Sequence, residues 1–211
     1  MNILVFGDSV VSDELYLGFE RWVTKLRKFL NSGMEHLNQE YFSVFNLGIV
    51  GETSKDLLER IDTECKAREP NIIIVKIGAN DSRFNNVTEE SIETPVTEFE
   101  KNIREIIKIC KKYTSKIIFL GNTPVDESKT TPTIWSNTEY FTNKTIKKYD
   151  EIVRYIFKKE DIAYLDIFNM WTKIDYKKLL DEGDGLHPNS EGHEKIYEIV
   201  KEFLIKNEVI L

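Results

Sequence analysis

Short apolar runs of strand length alternate along the chain with longer stretches of helical period. Ile3 to Phe6 is a continuous apolar run that stops at Gly7-Asp8-Ser9, which reads as a buried strand closed by a turn. Trp22, Leu26, Phe29 and Leu30 follow helical spacing up to Asn31-Ser32-Gly33. Tyr41 to Leu47 is strand-like and closes at Asn46-Leu47-Gly48; Thr53 then reads as the N-cap of a helix running to about Cys65. Pro70-Asn71 precedes Ile72 to Ile77, a β-branched run that ends in Gly78. Phe99, Ile103, Ile106, Ile107 and Cys110 form one helical stripe, and Lys116 to Leu120 the next strand. Residues 122–141 read as a long polar connection. Ile146, Tyr149, Val153, Ile156 and Phe157 share a helical face, and Ile162 to Ile167 is the last strand. Ser190 reads as the N-cap of a closing helix with Ile196, Ile199, Val200, Phe203 and Leu204 on its apolar side.

Strand followed by helix, five times over, predicts a parallel sheet with helices on both faces, an α/β layer sandwich. No internal repeat, low-complexity tract or linker interrupts it, so residues 1–211 are expected to form one domain. Lys76 fits badly, lying inside the most apolar strand. Either its stem lies along apolar surface with the ammonium reaching water, or that strand end is wet. In such a sheet, ligands bind beyond the carboxyl ends of the strands. The turns that follow these strands hold Ser9, Gly48 and Gly78-Ala79-Asn80-Asp81, which the architecture is expected to gather at one rim.

Composition narrows the function classes. At 41% hydrophobic and 31% charged, the chain is of ordinary globular type. Its length lets it bury roughly 70–75% of its unfolded surface without staples. A net charge of −7 disfavours nucleic acid and anionic membranes as partners. No apolar run approaches the roughly 18 residues of a membrane span. The start lacks a basic segment and a signal-peptide apolar core, so the cytoplasm is the expected compartment. Cys65 and Cys110 fall in apolar helical stretches and read as small core residues, not a disulfide. The oligomeric state is not specified by the sequence.

A serine hydroxyl becomes a nucleophile when a histidine takes its proton and a carboxylate holds that histidine. Of the three histidines, His36 lies in a polar loop and His193 in the first turn of the closing helix. His187 stands in Asp184-Gly185-Leu186-His187-Pro188, where a turn at Gly185 and Pro188 would fold the Asp184 carboxylate onto the ring. Taken singly, each candidate has a plain structural reading. Asp184-Gly185 is also a surface turn, Ser9 a helix cap and Asp8 a turn former. Gly48 is also a positive-φ turn residue, and Asn80 an Asx turn. An acyl-transfer site needs donors for an oxyanion, which the Gly48 N–H and the Asn80 amide could supply.

Four blocks occur in order: Gly7-Asp8-Ser9-Val10, Asn46-Leu47-Gly48-Ile49-Val50-Gly51-Glu52-Thr53, Gly78-Ala79-Asn80-Asp81, and Asp184-Gly185-Leu186-His187-Pro188. In this combination the sequence resembles the SGNH hydrolases, also called GDSL esterases/lipases, over essentially its whole length. It is most similar to small single-domain bacterial members, whose Gly-Trp-Val stretch is matched by Gly18-Phe19-Glu20-Arg21-Trp22-Val23. The resemblance implies a flavodoxin-like three-layer α/β/α sandwich with a five-stranded parallel sheet. It implies Ser9 as nucleophile, His187 as general base and Asp184 as its orienting carboxylate. The oxyanion hole it implies is the Ser9 N–H, the Gly48 N–H and the Asn80 side chain. No metal or organic cofactor is implied. The family often has a glycine near the position of Ser12, a departure that bears on how the loop packs.

The expected activity is therefore hydrolysis of small-molecule esters through an acyl-enzyme. The mixed, polar 122–141 segment, with Trp135, Tyr140 and Phe141, leans toward short acyl groups such as acetyl esters of carbohydrates or small metabolites. Lysophospholipid or acyl-thioester hydrolysis is the alternative. A non-catalytic flavodoxin-like binding module is a further one, which would be expected to have lost a triad or oxyanion residue. Gly7-Asp8-Ser9-Val10-Val11 is not the Gly-x-Ser-x-Gly elbow of α/β-hydrolases, and the first loop lacks the glycines of a nucleotide site.

Overall fold

A computed structural model describes residues 1–14, 18–32, 41–86 and 88–210; His36 and Gly33 lie outside the described residues. Side chains at alternate positions of β1 (Asn2–Gly7) point to opposite faces, so an apolar run buries both. Ile3 and Val5 enter one core, and Leu4 and Phe6 the other. The same holds for β3 (Ile72–Lys76), every residue of which is buried. With β2 (Ser43–Gly48) these strands make the centre and one flank of a parallel sheet. Two shorter strands, β5 (Ile117–Leu120) and β7 (Ala163–Leu165), complete the order β2-β1-β3-β5-β7.

The helices cover both faces, as the alternation requires. α1 (Trp22–Ser32) and α7 (Ser190–Lys206) close one core through Trp22, Leu26, Leu30, Ile196, Val200 and Leu204. α2 (Ser54–Arg68), α3 (Val96–Cys110) and α5 (Asn143–Lys159) close the other. Cys65 and Cys110 are buried, free core residues. Thr53 caps α2 in a capping box with Asp56, an arrangement worth about 1 kcal/mol. The helix then runs three residues past Cys65. α7 begins at Ser190, but its cap is Asn189, whose side chain accepts from the Gly192 N–H at 3.0 Å. Ile162 to Ile167 forms less strand than its apolarity suggests. Asp166 caps a short helix, α6 (Ile167–Trp171), and ends the sheet at Leu165.

The 122–141 connection is more ordered than its polarity implies. It holds α4 (Glu127–Thr130) and β6 (Glu139–Tyr140). β6 pairs antiparallel with β4 (Phe84–Asn85), and the Phe84 and Tyr140 rings stack at 5.5 Å. Among the described residues, no helix is long and apolar enough to cross a membrane.

Candidate active site

The pairings Gly7↔Gly48 and Gly7↔Lys76 bring the ends of β1, β2 and β3 to one rim. The loop leaving β1 is organised by Asp8. Its carbonyl accepts from the Val11 and Ser12 N–H groups, both at 3.0 Å, and its Oδ1 accepts from the Val10 N–H at 2.9 Å. Lys76 Nζ donates to Asp8 Oδ2 at 2.8 Å and to Oδ1 at 3.1 Å. Neither earlier reading of Lys76 holds: its ammonium does not reach water, and the strand end is dry. The charge is compensated inside the fold, with both side chains at most 3% exposed. A buried charge is tolerated when paired and hydrogen-bonded, and here the pair ties β3 to the residue before Ser9.

Ser9 Oγ lies 2.9 Å from His187 Nε2, across 178 residues of sequence. His187 Nδ1 lies 2.6 Å from Asp184 Oδ2. An ionised carboxylate only accepts, so Nδ1 carries the ring proton and the Nε2 lone pair accepts from the serine hydroxyl. Asp184 Oδ1 also accepts from the Leu186 and His187 N–H groups, at 2.8 and 2.9 Å. Burial raises its carboxyl, but the His187 ring and these N–H groups outweigh that, holding it below the usual carboxylate range. The turn is braced by Asp181, whose N–H donates to His187 O and whose carboxylate accepts from the Gly183 and Asp184 N–H groups. An Oγ–Nε2, Nδ1–Oδ2 chain of this kind lets an imidazole draw a proton from a hydroxyl while a carboxylate stabilises the resulting cation.

Asn80 is buried at the same rim. One hydrogen of its Nδ2 donates to Glu52 O at 2.9 Å, which leaves the second for a ligand. Asp81 fixes this loop against the start of α2 by accepting from the Ser54 N–H at 3.0 Å and the Ser54 hydroxyl at 2.6 Å. Burial pushes the Asp81 carboxyl up to about 6, against those Ser54 hydrogen bonds.

Gly48 departs from the sequence reading in two ways. Its N–H already donates to Asn46 Oδ1 at 3.1 Å. Its Cα packs on the loop that follows β1, where an added Cβ would come within 2.3 Å of Ser12 N and 2.8 Å of Ser12 Cα. It is not a positive-φ residue either. The small residue required at this contact is Gly48, with Ser12 contributing only backbone, which explains how a serine is accommodated there. Gly51 has the features expected of a donor site: φ is +78° and its N–H has no partner among the described residues. The Glu52 N–H closes the turn around it onto Ile49 O. Arg60 clamps the turn, donating to both Glu52 carboxylate oxygens at 2.5 and 2.6 Å and to Leu47 O at 2.6 Å. The Ser9 N–H is likewise without a partner among the described residues.

His193 is fully buried beneath the site and is a structural residue. Its Nε2 accepts from Arg21 Nε at 3.1 Å. Burial, then the Arg21 and His187 charges, push its pKa down to about 3. Sequence reasoning passed over the Lys76, Arg60–Glu52 and Arg21–His193 contacts. The signal for the first was present, since a lysine in a fully apolar strand requires a buried counter-charge. A cavity of about 580 Å³ beside α6 and α7 is lined by none of Ser9, Asn80, Asp184 and His187.

Residues 3–200 match the family model described as GDSL-like lipase/acylhydrolase. The chain is 24% identical over 209 residues to "GDSL esterase/lipase CPRD49" of Arabidopsis thaliana, covering 95% of this chain and 79% of the relative. It is 24% identical over 155 residues to an acetylxylan esterase of Geobacillus stearothermophilus, covering 71% of this chain and 66% of the relative. The solved structure of a lipase/acylhydrolase from Enterococcus faecalis has the same fold. Its TM-score is 0.76 at 20% identity, over 96% of this chain and 94% of that one.

Proposed function

This chain belongs to the GDSL-like lipase/acylhydrolase family and is a carboxylic ester hydrolase, and on that footing we propose that Ser9, His187 and Asp184 are its catalytic triad. The observation that carries the reading is the hydrogen-bonded chain from Ser9 Oγ through His187 to Asp184, at 2.9 and 2.6 Å. His187 Nε2 takes the hydroxyl proton as Ser9 Oγ attacks the ester carbonyl. The tetrahedral oxyanion accepts from the Ser9 N–H, the free Asn80 Nδ2 hydrogen and a glycine N–H. We assign that glycine as Gly51 and not Gly48, whose N–H is committed to Asn46. The protonated imidazole gives its proton to the departing alcohol, leaving an acyl-Ser9 ester. Water, deprotonated by the same Nε2, hydrolyses it and restores the serine.

The substrates we propose are acetyl and other short-chain esters of carbohydrates or small metabolites. The acetylxylan esterase relative supports this class. The proposal treats residues 1–211 as one domain acting in the cytoplasm, in keeping with the free thiols of Cys65 and Cys110.

Hydrolysis of a 4-nitrophenyl ester series from acetate to palmitate, by wild type and Ser9→Ala, tests the reading. Ser9-dependent turnover with its maximum at acetate is expected. A maximum at long chains would replace the substrate class with lysophospholipids or acyl-thioesters. Turnover that persists in Ser9→Ala would overturn the triad.

A further inference from the structure

The 122–141 connection places an indole beside His187. The Trp135 and His187 ring centroids are 6.2 Å apart, with their planes inclined at 41°. Trp135 is 49% exposed, whereas Trp22 and Trp171, the other two tryptophans of the chain, are at most 1% exposed. A single exposed ring is common, and what sets this one apart is its place beside His187.

The indole is held in a frame. Its Nε1–H donates to Glu139 Oε2 at 2.8 Å. Arg83 Nη1 meets Glu139 Oε1 at 3.4 Å, and the Arg83 N–H donates to Asn80 O at 3.3 Å. Glu139 lies on β6, which pairs with β4 under the stacked Phe84 and Tyr140 rings. The frame therefore joins the Asn80 loop to the neighbourhood of His187 across the mouth of the site. With its only polar hydrogen committed to Glu139, the indole offers a ligand a π face and nothing that hydrogen-bonds.

The oxygen of the departing alcohol must come within hydrogen-bond reach of His187 Nε2 to receive its proton. A surface flanking the His187 ring therefore meets the alcohol half of the ester. We propose that Trp135 is a specificity-determining residue that stacks against the C–H face of a sugar ring bearing the ester, a proposal that rests on the Ser9 reading above. A pyranose presents axial C–H groups, partially positive, to the negative π face. Its hydroxyls stay in water at the rim of the ring, which suits an indole open on one side.

The test compares two acetates that differ only in the alcohol: ethyl acetate and a monoacetylated methyl β-xyloside. In Trp135→Ala, the ratio of kcat/KM for the xyloside to that for ethyl acetate is expected to fall about 2- to 12-fold. Trp135→Phe restores most of it. Glu139→Ala, which frees the indole, lowers the ratio in the same direction. An unchanged ratio, including equal losses on both esters, overturns the platform, because the indole then serves His187 or the fold alone. A second readout is independent of turnover. Ser9→Ala protein titrated with the acetylated xyloside should show a saturable change in tryptophan emission that Ser9→Ala/Trp135→Phe lacks; the same change in both proteins counts against it. Failure of the Ser9 reading looks different: ethyl acetate hydrolysis would survive Ser9→Ala.

Discussion

Lys76 Nζ and Asp8 Oδ2 are 2.8 Å apart with both side chains sealed from water, one residue before the Ser9 nucleophile proposed here. The pair fixes the loop in which Asp8 accepts the Val10, Val11 and Ser12 N–H groups. Removing one partner strands the other as an uncompensated buried charge. Lys76→Met is expected to destabilise the protein by about 3–5 kcal/mol in urea unfolding. Asp8→Asn/Lys76→Met, which removes both charges, should recover most of that loss. A double variant as unstable as Lys76→Met would show that packing, not charge pairing, is at stake.

The two glycines of the second block should respond to alanine to different degrees. At Gly48 the new Cβ meets Ser12 backbone at 2.3 Å, which cannot yield without moving the loop that carries Ser9. The expected loss of stability is about 1–3 kcal/mol, accompanied by a lower kcat. At Gly51 the Cβ meets nothing within 4 Å, and only the φ of +78° is unfavourable, at roughly 1 kcal/mol. Thermal unfolding of both variants checks the order; Gly51→Ala as the more damaged fold would contradict it.

In the proposed oxyanion hole, Asn80 acts through the Nδ2 hydrogen that Glu52 O leaves free. Asn80→Ala should lower kcat by about 10²–10³ while KM for short esters moves little, because the donor faces charge that develops only in the transition state. Steady-state kinetics on 4-nitrophenyl acetate decide it, and an unchanged kcat removes Asn80 from the oxyanion hole.

His193 gives the protein a sensitivity to acid. In the fold its pKa is about 3, against 6.5 as the ordinary value, through burial and then the charges of Arg21 and His187. Between those values the unfolded chain binds a proton that the native state refuses. The contribution to stability is complete above pH 6.5 and is lost as pH falls toward 3. From pH 7 to 4.5 that is about 2–3 kcal/mol, at 1.36 kcal/mol per pKa unit. His193→Gln keeps an acceptor for Arg21 and does not titrate, so its urea midpoint should fall less over this range. Identical pH dependence in the two proteins would contradict the assignment.

Much of this was legible in the sequence because the central strands bury both faces. Ile3 to Phe6 and Ile72 to Ile77 admit little but a central parallel strand, and the turns after them had to share a rim. Ser9, Asn80, Asp184 and His187 were legible as a set because their types occur in order at strand ends and before α7. Gly48 and Gly51 were harder to separate, because both are glycines in one short turn. What distinguishes them is whether Asn46 takes the N–H and whether Ser12 backbone lies against the Cα, and both are tertiary facts. The Lys76 partner was hidden for the same reason, lying 68 residues away just past the end of the neighbouring strand. The order within 122–141 was hidden by its polarity. Its anchor is a two-residue pairing with β4, too short to leave a periodic signal.

The central claim is that Ser9 is a nucleophile activated by His187. Intact-mass analysis after treatment with a fluorophosphonate tests it most directly, because only an activated serine forms the stable phosphonyl ester. The account predicts one adduct on the wild-type chain, mapped to Ser9 by peptide sequencing, and none on Ser9→Ala. Labelling should be strongly slowed in His187→Ala. An adduct that survives Ser9→Ala, or a folded wild-type protein that takes none, would contradict it.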